Sequence, residues 1–88
     1  MELKFLKDDK DSLKVQLENE YATLGAAIKD ELWNTKGVDA AMLDKRHPLV
    51  GKPELSIQGK EPKKLAKTAA QNFKKKIEEF EKAVLKEI

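Results

Sequence analysis

The sequence predicts an α+β domain of two layers: a mainly antiparallel four-stranded sheet covered on one side by a middle helix and a long C-terminal helix, in the order ββαββα. Three observations predict it. Apolar and polar residues alternate in four short stretches, two before residue 18 and two between residues 38 and 57. Leu24, Ile28 and Leu32 form an i, i+4, i+8 stripe. In the run Pro62 to Ile88, Ala66, Ala70, Phe73, Ile77, Phe80 and Val84 recur at alternating steps of four and three, the spacing of a helix-packing seam. With one apolar face per strand, two layers with the helices on that face are the economical arrangement, although the pattern leaves strand order open.

Each element has a local reason. From Met1 to Leu6, Met1, Leu3 and Phe5 share a face opposite Glu2 and Lys4, as in a half-buried strand. Asp8-Asp9-Lys10-Asp11-Ser12 is polar and rich in turn formers. Leu13, Val15 and Leu17 then alternate with Lys14, Gln16 and Glu18, completing an antiparallel hairpin. Thr23 suits the N-cap of the middle helix, and Gly37 suits a left-handed cap at its end. Within that helix the Leu24–Ile28–Leu32 stripe packs on a sheet, while Ala26 and Trp33 fall on a different face. Val38 to Leu43 reads as the third strand, with Val38, Ala40 and Met42 on one face. Two prolines and a glycine force Arg46-His47-Pro48-Leu49-Val50-Gly51-Lys52-Pro53 out of regular structure. Leu55 and Ile57 alternate as the fourth strand, Gly59 releases the chain, and Pro62 suits the first turn of the last helix.

That last helix is too long for the domain. At about 1.5 Å per residue it spans roughly 40 Å, whereas four strands at about 4.8 Å each span only about 20 Å. Either Phe73, Ile77, Phe80 and Val84 overhang into water, or another chain covers them; the second is the working expectation.

Length and composition narrow the function. Eighty-eight residues make one domain, 1–88, with a modest core, which excludes a multi-domain enzyme. Lys and Arg total 18 against 16 Asp and Glu, a balance too even to signify a nucleic-acid binder by itself. The absence of cysteine excludes disulfides and thiolate metal sites and fits a reducing compartment. With no apolar run long enough to span a membrane and no signal-peptide core at the start, a cytoplasmic location is expected.

No catalytic constellation assembles. His47 is the only histidine, so zinc would need it plus carboxylates, a less common donor set than one rich in His and Cys. The glycines at 25, 37, 51 and 59 are too scattered for a phosphate loop. Glu78, Glu79 and Glu81 sit among lysines as a solvated helix face. No cofactor or metal is expected. The competing signal is basic: Arg46, Lys52, Lys60, Lys63, Lys64 and Lys67 could gather near the start of the last helix and touch phosphates, making the chain a free-standing nucleic-acid-binding or protein-binding module. Against this, the tyrosine and the tryptophan are not interleaved with the lysines as stacking platforms would be.

The order of elements and three motifs resemble the small α-like subunits of RNA polymerase, the family of subunit L of the archaeal DNA-directed enzyme. The motifs are Thr23-Leu24-Gly25, then His47-Pro48-Leu49 followed by Gly51-Lys52-Pro53 with Leu55 and Ile57, then Pro62 with Leu65 and Ala69. The chain departs from the family pattern at Ala22, Ala26, Met42 and Leu43. The resemblance implies a non-catalytic subunit, part of a nucleotidyltransferase only through its complex, that serves transcription. It would form a heterodimer with the larger α-like subunit of the polymerase, the D-type partner. The pair would be the counterpart of the bacterial α dimer on which the catalytic subunits assemble, and this chain would touch neither nucleic acid nor membrane itself. Helices of both partners would form the dimer core, so the interface candidates are Leu24, Ile28, Leu32, Trp33, Phe73, Ile77, Phe80 and Val84.

Overall fold

The computed structural model of the chain describes residues 2–44 and 52–87. Arg46, His47, Pro48, Leu49 and Gly51 lie outside the described residues, and with them most of the middle motif. The elements are β1 (Lys4–Asp8), β2 (Ser12–Gln16), a 3₁₀ turn (Asn19–Tyr21), α1 (Ala22–Trp33), β3 (Val38–Asp44), β4 (Glu54–Gly59) and α2 (Pro62–Glu87). The four strands form one sheet in the order β1-β2-β4-β3, with every neighbouring pair antiparallel. The predicted ββαββα order and two-layer architecture are observed, and the shortest dimension of the molecule, 18 Å, is that of one sheet and one helix layer.

The core follows from the alternation. Leu13 and Val15 of β2 lie opposite Ile57 and Leu55 of β4, and all four are buried beneath the helices. Leu32 of α1 and Ala69 of α2 close over them, with Ala41 contributed by β3. α1 packs against β3 and α2, and α2 lies over β4 and β2. Among the described residues neither helix packs extensively on β1, which is an edge of the sheet.

Several expectations need correction. In β3 the buried residue is Ala41, with Leu43 partly buried beside it, while Met42 is exposed. The cause is a bulge between Val38 and Ala40: two residues of β3 step against one of β4, so every later side chain switches face. β1 is not half-buried but exposed at every residue, because among the described residues little besides the Lys63 side chain lies over its apolar side. Thr23 does not cap α1. Tyr21 holds that position without a side-chain cap, since the 3₁₀ turn feeds directly into the helix and its carbonyls take the first free amides. Gly37 does have a left-handed φ of +98°, but it lies in the turn before β3, beyond the end of α1.

That glycine sits beside another. A Cβ built on Gly59, where β4 ends, would lie 2.6 Å from the Gly37 carbonyl oxygen, so two backbones meet where only hydrogen fits. Thr35 fixes the same corner by donating its hydroxyl to the Glu31 carbonyl at 2.8 Å.

Candidate functional site

The main concave feature among the described residues is an apolar groove of about 780 Å³, open to solvent along its length. Its floor is the inward face of the sheet: exposed Leu3 and Phe5 at the edge, then the buried Leu13, Val15, Leu17, Leu55 and Ile57. One wall is the first half of α1, through Leu24, Gly25 and Ile28; the other is α2, through Ala66, Ala70, Phe73 and Ile77. Polar groups occur only at the rim, where Lys63, Lys67, Lys74 and Glu78 stand on α2.

The groove explains the seam on α2. A helix that packed its whole apolar stripe on its own sheet would bury Ala66, Ala70, Phe73 and Ile77. Instead α2 turns Pro62 and Ala69 inward, with Leu65 and Ala66 partly buried beside them, and presents the rest of the seam to the open side. Ile77 is 50% exposed, Phe80 71% and Val84 40%, so the seam stays bare to the end. Each large apolar side chain left in water forgoes on the order of 1.5–3 kcal/mol of burial. Leu3 and Phe5, also exposed, extend the same apolar surface onto β1. Contiguous patches of this kind mark interaction surfaces in soluble domains.

Of the predicted interface residues, Leu24, Ile28, Phe73 and Ile77 converge on the groove, and Phe80 and Val84 continue its line along α2. Leu32 must be withdrawn: it is fully buried in the chain's own core and has no surface left for a partner. Trp33, 57% exposed, is not part of the groove lining. Gly25 of the Thr23-Leu24-Gly25 motif is buried, and a Cβ there would come within 2.7 Å of the Leu17 side chain, so the glycine lets α1 approach the groove floor. Pro53 is buried and its carbonyl accepts the Leu17 amide at 2.8 Å, extending the pairing of β2 with the chain before β4. Leu3, Phe5 and Leu17 are groove residues that sequence reasoning did not assign to an interface. Their signal was present in the alternation, but strand order was needed to see that Leu3 and Phe5 belong to an edge strand, while Leu17 lies under Gly25 of α1.

Among the described residues the basic candidates do not gather into one cluster. Lys52 precedes β4 and Lys60 follows it, so the strand separates them by about 20 Å. Lys52 shares its end of the sheet with Glu2 and Glu18. At the other end, Lys60, Lys63 and Lys64 stand among Asp8, Asp9, Asp11 and Glu61. Lys63 pairs with Asp8 at 2.7 Å and lies 5.2 Å from the centre of the Phe5 ring. Among the described residues there is no group of three or more His, Asp or Glu placed to hold a metal ion, and no helix long and apolar enough to cross a membrane.

A small two-layer domain that leaves one apolar groove and one helical overhang open has the form of a dimerisation domain. Comparison with known proteins agrees. Residues 12–83 match the family described as the RNA polymerase Rpb3/Rpb11 dimerisation domain. The chain is 29% identical over 82 residues to DNA-directed RNA polymerase subunit Rpo11 of Methanothermobacter thermautotrophicus, covering 93% of this chain and 96% of that one. The crystal structure of DNA-directed RNA polymerase subunit L from Thermoplasma acidophilum superposes with a TM-score of 0.85 at 25% identity, covering 98% of this chain and 87% of that one. The chain belongs to the RNA polymerase Rpb3/Rpb11 dimerisation domain family, among its small subunits of the Rpb11/L type.

Proposed function

We propose that this chain is the non-catalytic partner of the larger, D-type α-like subunit, and that their heterodimer is the platform on which the large catalytic subunits of a cytoplasmic RNA polymerase assemble for transcription. The observation that carries this reading is the open groove together with the bare end of α2. One stretch of apolar surface, from Phe5 on the edge strand to Phe80 and Val84 on the overhang, is left exposed by the described residues. A helix from the partner laid between α1 and α2 would fill the groove, and the overhang of α2 would enter the partner in return. Leu24, Ile28, Phe73, Ile77, Phe80 and Val84 would form this chain's share of the dimer core. Nucleotidyl transfer would then belong to other subunits, and this chain would contribute geometry alone.

Co-expression with a candidate larger α-like subunit, followed by size-exclusion chromatography, tests the reading. A stable one-to-one complex is expected. A folded chain that never co-elutes with the larger subunit would contradict it.

A further inference from the structure

We infer that the chain, when free of its larger partner, pairs with a second copy of itself, the two α2 helices running antiparallel so that the distal part of each lies along the groove of the other. This goes beyond the heterodimer reading and does not depend on which subunit is the physiological partner.

The charge order along α2 carries the inference. From Pro62 to Lys76 the helix holds Lys63, Lys64, Lys67, Lys74, Lys75 and Lys76 and no acid. From Ile77 to Glu87 it holds Glu78, Glu79, Glu81 and Glu87 against Lys82 and Lys86. At the N-terminal end this order opposes the helix macrodipole, since the first turn holds Lys63 and Lys64 and no acid, while Lys86 suits the last turn. The first turn is therefore unfavourable for a helix standing alone. An antiparallel neighbour of the same sequence reverses the balance, because each basic half then meets an acidic half while the two macrodipoles cancel.

The apolar surface fits the same arrangement. The groove rim offers Lys67 and Lys74, which make no ion pair among the described residues, whereas Lys63 is already engaged by Asp8. On the would-be occupant, Ile77, Phe80 and Val84 are exposed, and Glu78 and Glu81, one turn apart, directly follow Ile77 and Phe80. In a two-fold pair each contact occurs twice, since both copies use the same patch. The groove of one copy would receive Ile77, Phe80 and Val84 of the other, with Glu78 and Glu81 facing Lys67 and Lys74. Glu78 also borders the groove at its far end, where α2 leaves it for the second copy. A parallel pair would set lysine against lysine and glutamate against glutamate.

Sedimentation equilibrium of the purified chain tests this. At micromolar concentration and about 0.05 M salt a dimer is expected, weakening as salt is raised to about 0.5 M because the facing charges are screened. The variants Lys67→Glu/Lys74→Glu and Glu78→Lys/Glu81→Lys should each weaken self-association at least about tenfold, with circular dichroism unchanged. An equimolar mixture of the two should restore a dimer, because each then presents the charges that the other lacks. A monomeric wild type across this range, variants that stay dimeric alone, or variants that fail to pair when mixed would each overturn the inference. Titrating the same preparations with the larger α-like subunit separates the two proposals. An intact heterodimer without self-pairing counts against this inference alone, and self-pairing without a heterodimer counts against the proposed function alone.

Discussion

Lys76 of α2 donates a hydrogen bond to the Glu31 carboxylate of α1 at 2.8 Å, joining an exposed ammonium to a side chain that is 8% exposed. Beyond Lys76 no α2 side chain makes a hydrogen bond or ion pair with another element among the described residues. The pair thus marks where the helix stops belonging to its own domain and where the overhang begins. Lys76→Met leaves the Glu31 carboxylate without its partner, a loss on the order of 1–3 kcal/mol. Urea denaturation should show a lower midpoint at an unchanged m-value. An unaltered midpoint would mean that solvent already satisfies Glu31.

Gly59 and Gly25 should respond differently to the same substitution. At Gly59 the added methyl meets the Gly37 carbonyl, which cannot move without displacing the start of β3. Gly59→Ala should cost on the order of 1–3 kcal/mol, read as a lower melting temperature. At Gly25 the methyl meets the far end of Leu17, which can swing toward the open groove, and alanine favours the helix by up to about 1 kcal/mol. Gly25→Ala should therefore leave the melting temperature nearly unchanged while disturbing the groove floor and partner binding. Equal destabilisation at both sites would refute this distinction.

Lys63→Ala should hardly affect partner pairing. The ammonium is exposed and already matched by Asp8, and exposed ion pairs contribute about 0–1 kcal/mol. Isothermal titration against the larger α-like subunit should give a Kd within about fivefold of wild type, by the same magnitude. Arg46→Ala should behave in the same way, because one charge contributes little to a pairing held by apolar burial. Loss of the heterodimer in either variant, with the fold intact, would show that charge rather than apolar burial holds the pair.

The start of the chain has an acid-sensitive tie. The Glu2 amide donates to the Glu18 carboxylate at 3.2 Å, and this bond, with smaller contributions from the Glu20 side chain and Lys52, holds the Glu18 carboxyl below its ordinary value. A carboxyl depressed in the folded state contributes stability that is complete above its unfolded pKa and is lost as pH falls through the folded value. An NMR titration should therefore find Glu18 protonating at lower pH than in an unfolded peptide, with the Glu2 amide resonance shifting in the same step. A Glu18 titration that coincides with the peptide would remove the tie.

Much of the fold was legible because burial and alternation agree where strands are regular. Leu13, Val15, Leu55 and Ile57 were readable as core from spacing alone, and Pro62 marked the start of α2. The misread face of β3 has a definite cause. Ala40, Ala41, Met42 and Leu43 offer no alternation, so nothing in the sequence betrays the bulge that decides which of them faces inward. Leu32 was read both as part of the stripe that packs on the sheet and, through the family resemblance, as an interface candidate; its full burial fits the first reading alone. In the fold only the first half of α1 borders the groove, and its second half closes the core. The basic cluster failed for a topological reason, since residues close in sequence on either side of β4 lie at opposite ends of the sheet. The overhang was legible from length alone: about 26 residues of helix cannot end on a sheet of four strands.

Phe80 tests the central claim most directly, because at 71% exposed it belongs to no part of the chain's own core and lies beyond the last polar tie at Lys76. Phe80→Asp would ask a partner to bury a carboxylate without a counter-ion, at a cost of several kcal/mol. Each 1.4 kcal/mol is about tenfold in affinity, so binding should fall by orders of magnitude while the sheet and both helices persist by circular dichroism. The measurement is co-purification of the Phe80→Asp chain with the larger α-like subunit. A folded chain that no longer co-purifies is the predicted result, and normal co-purification would contradict the claim that the bare end of α2 is covered by the partner.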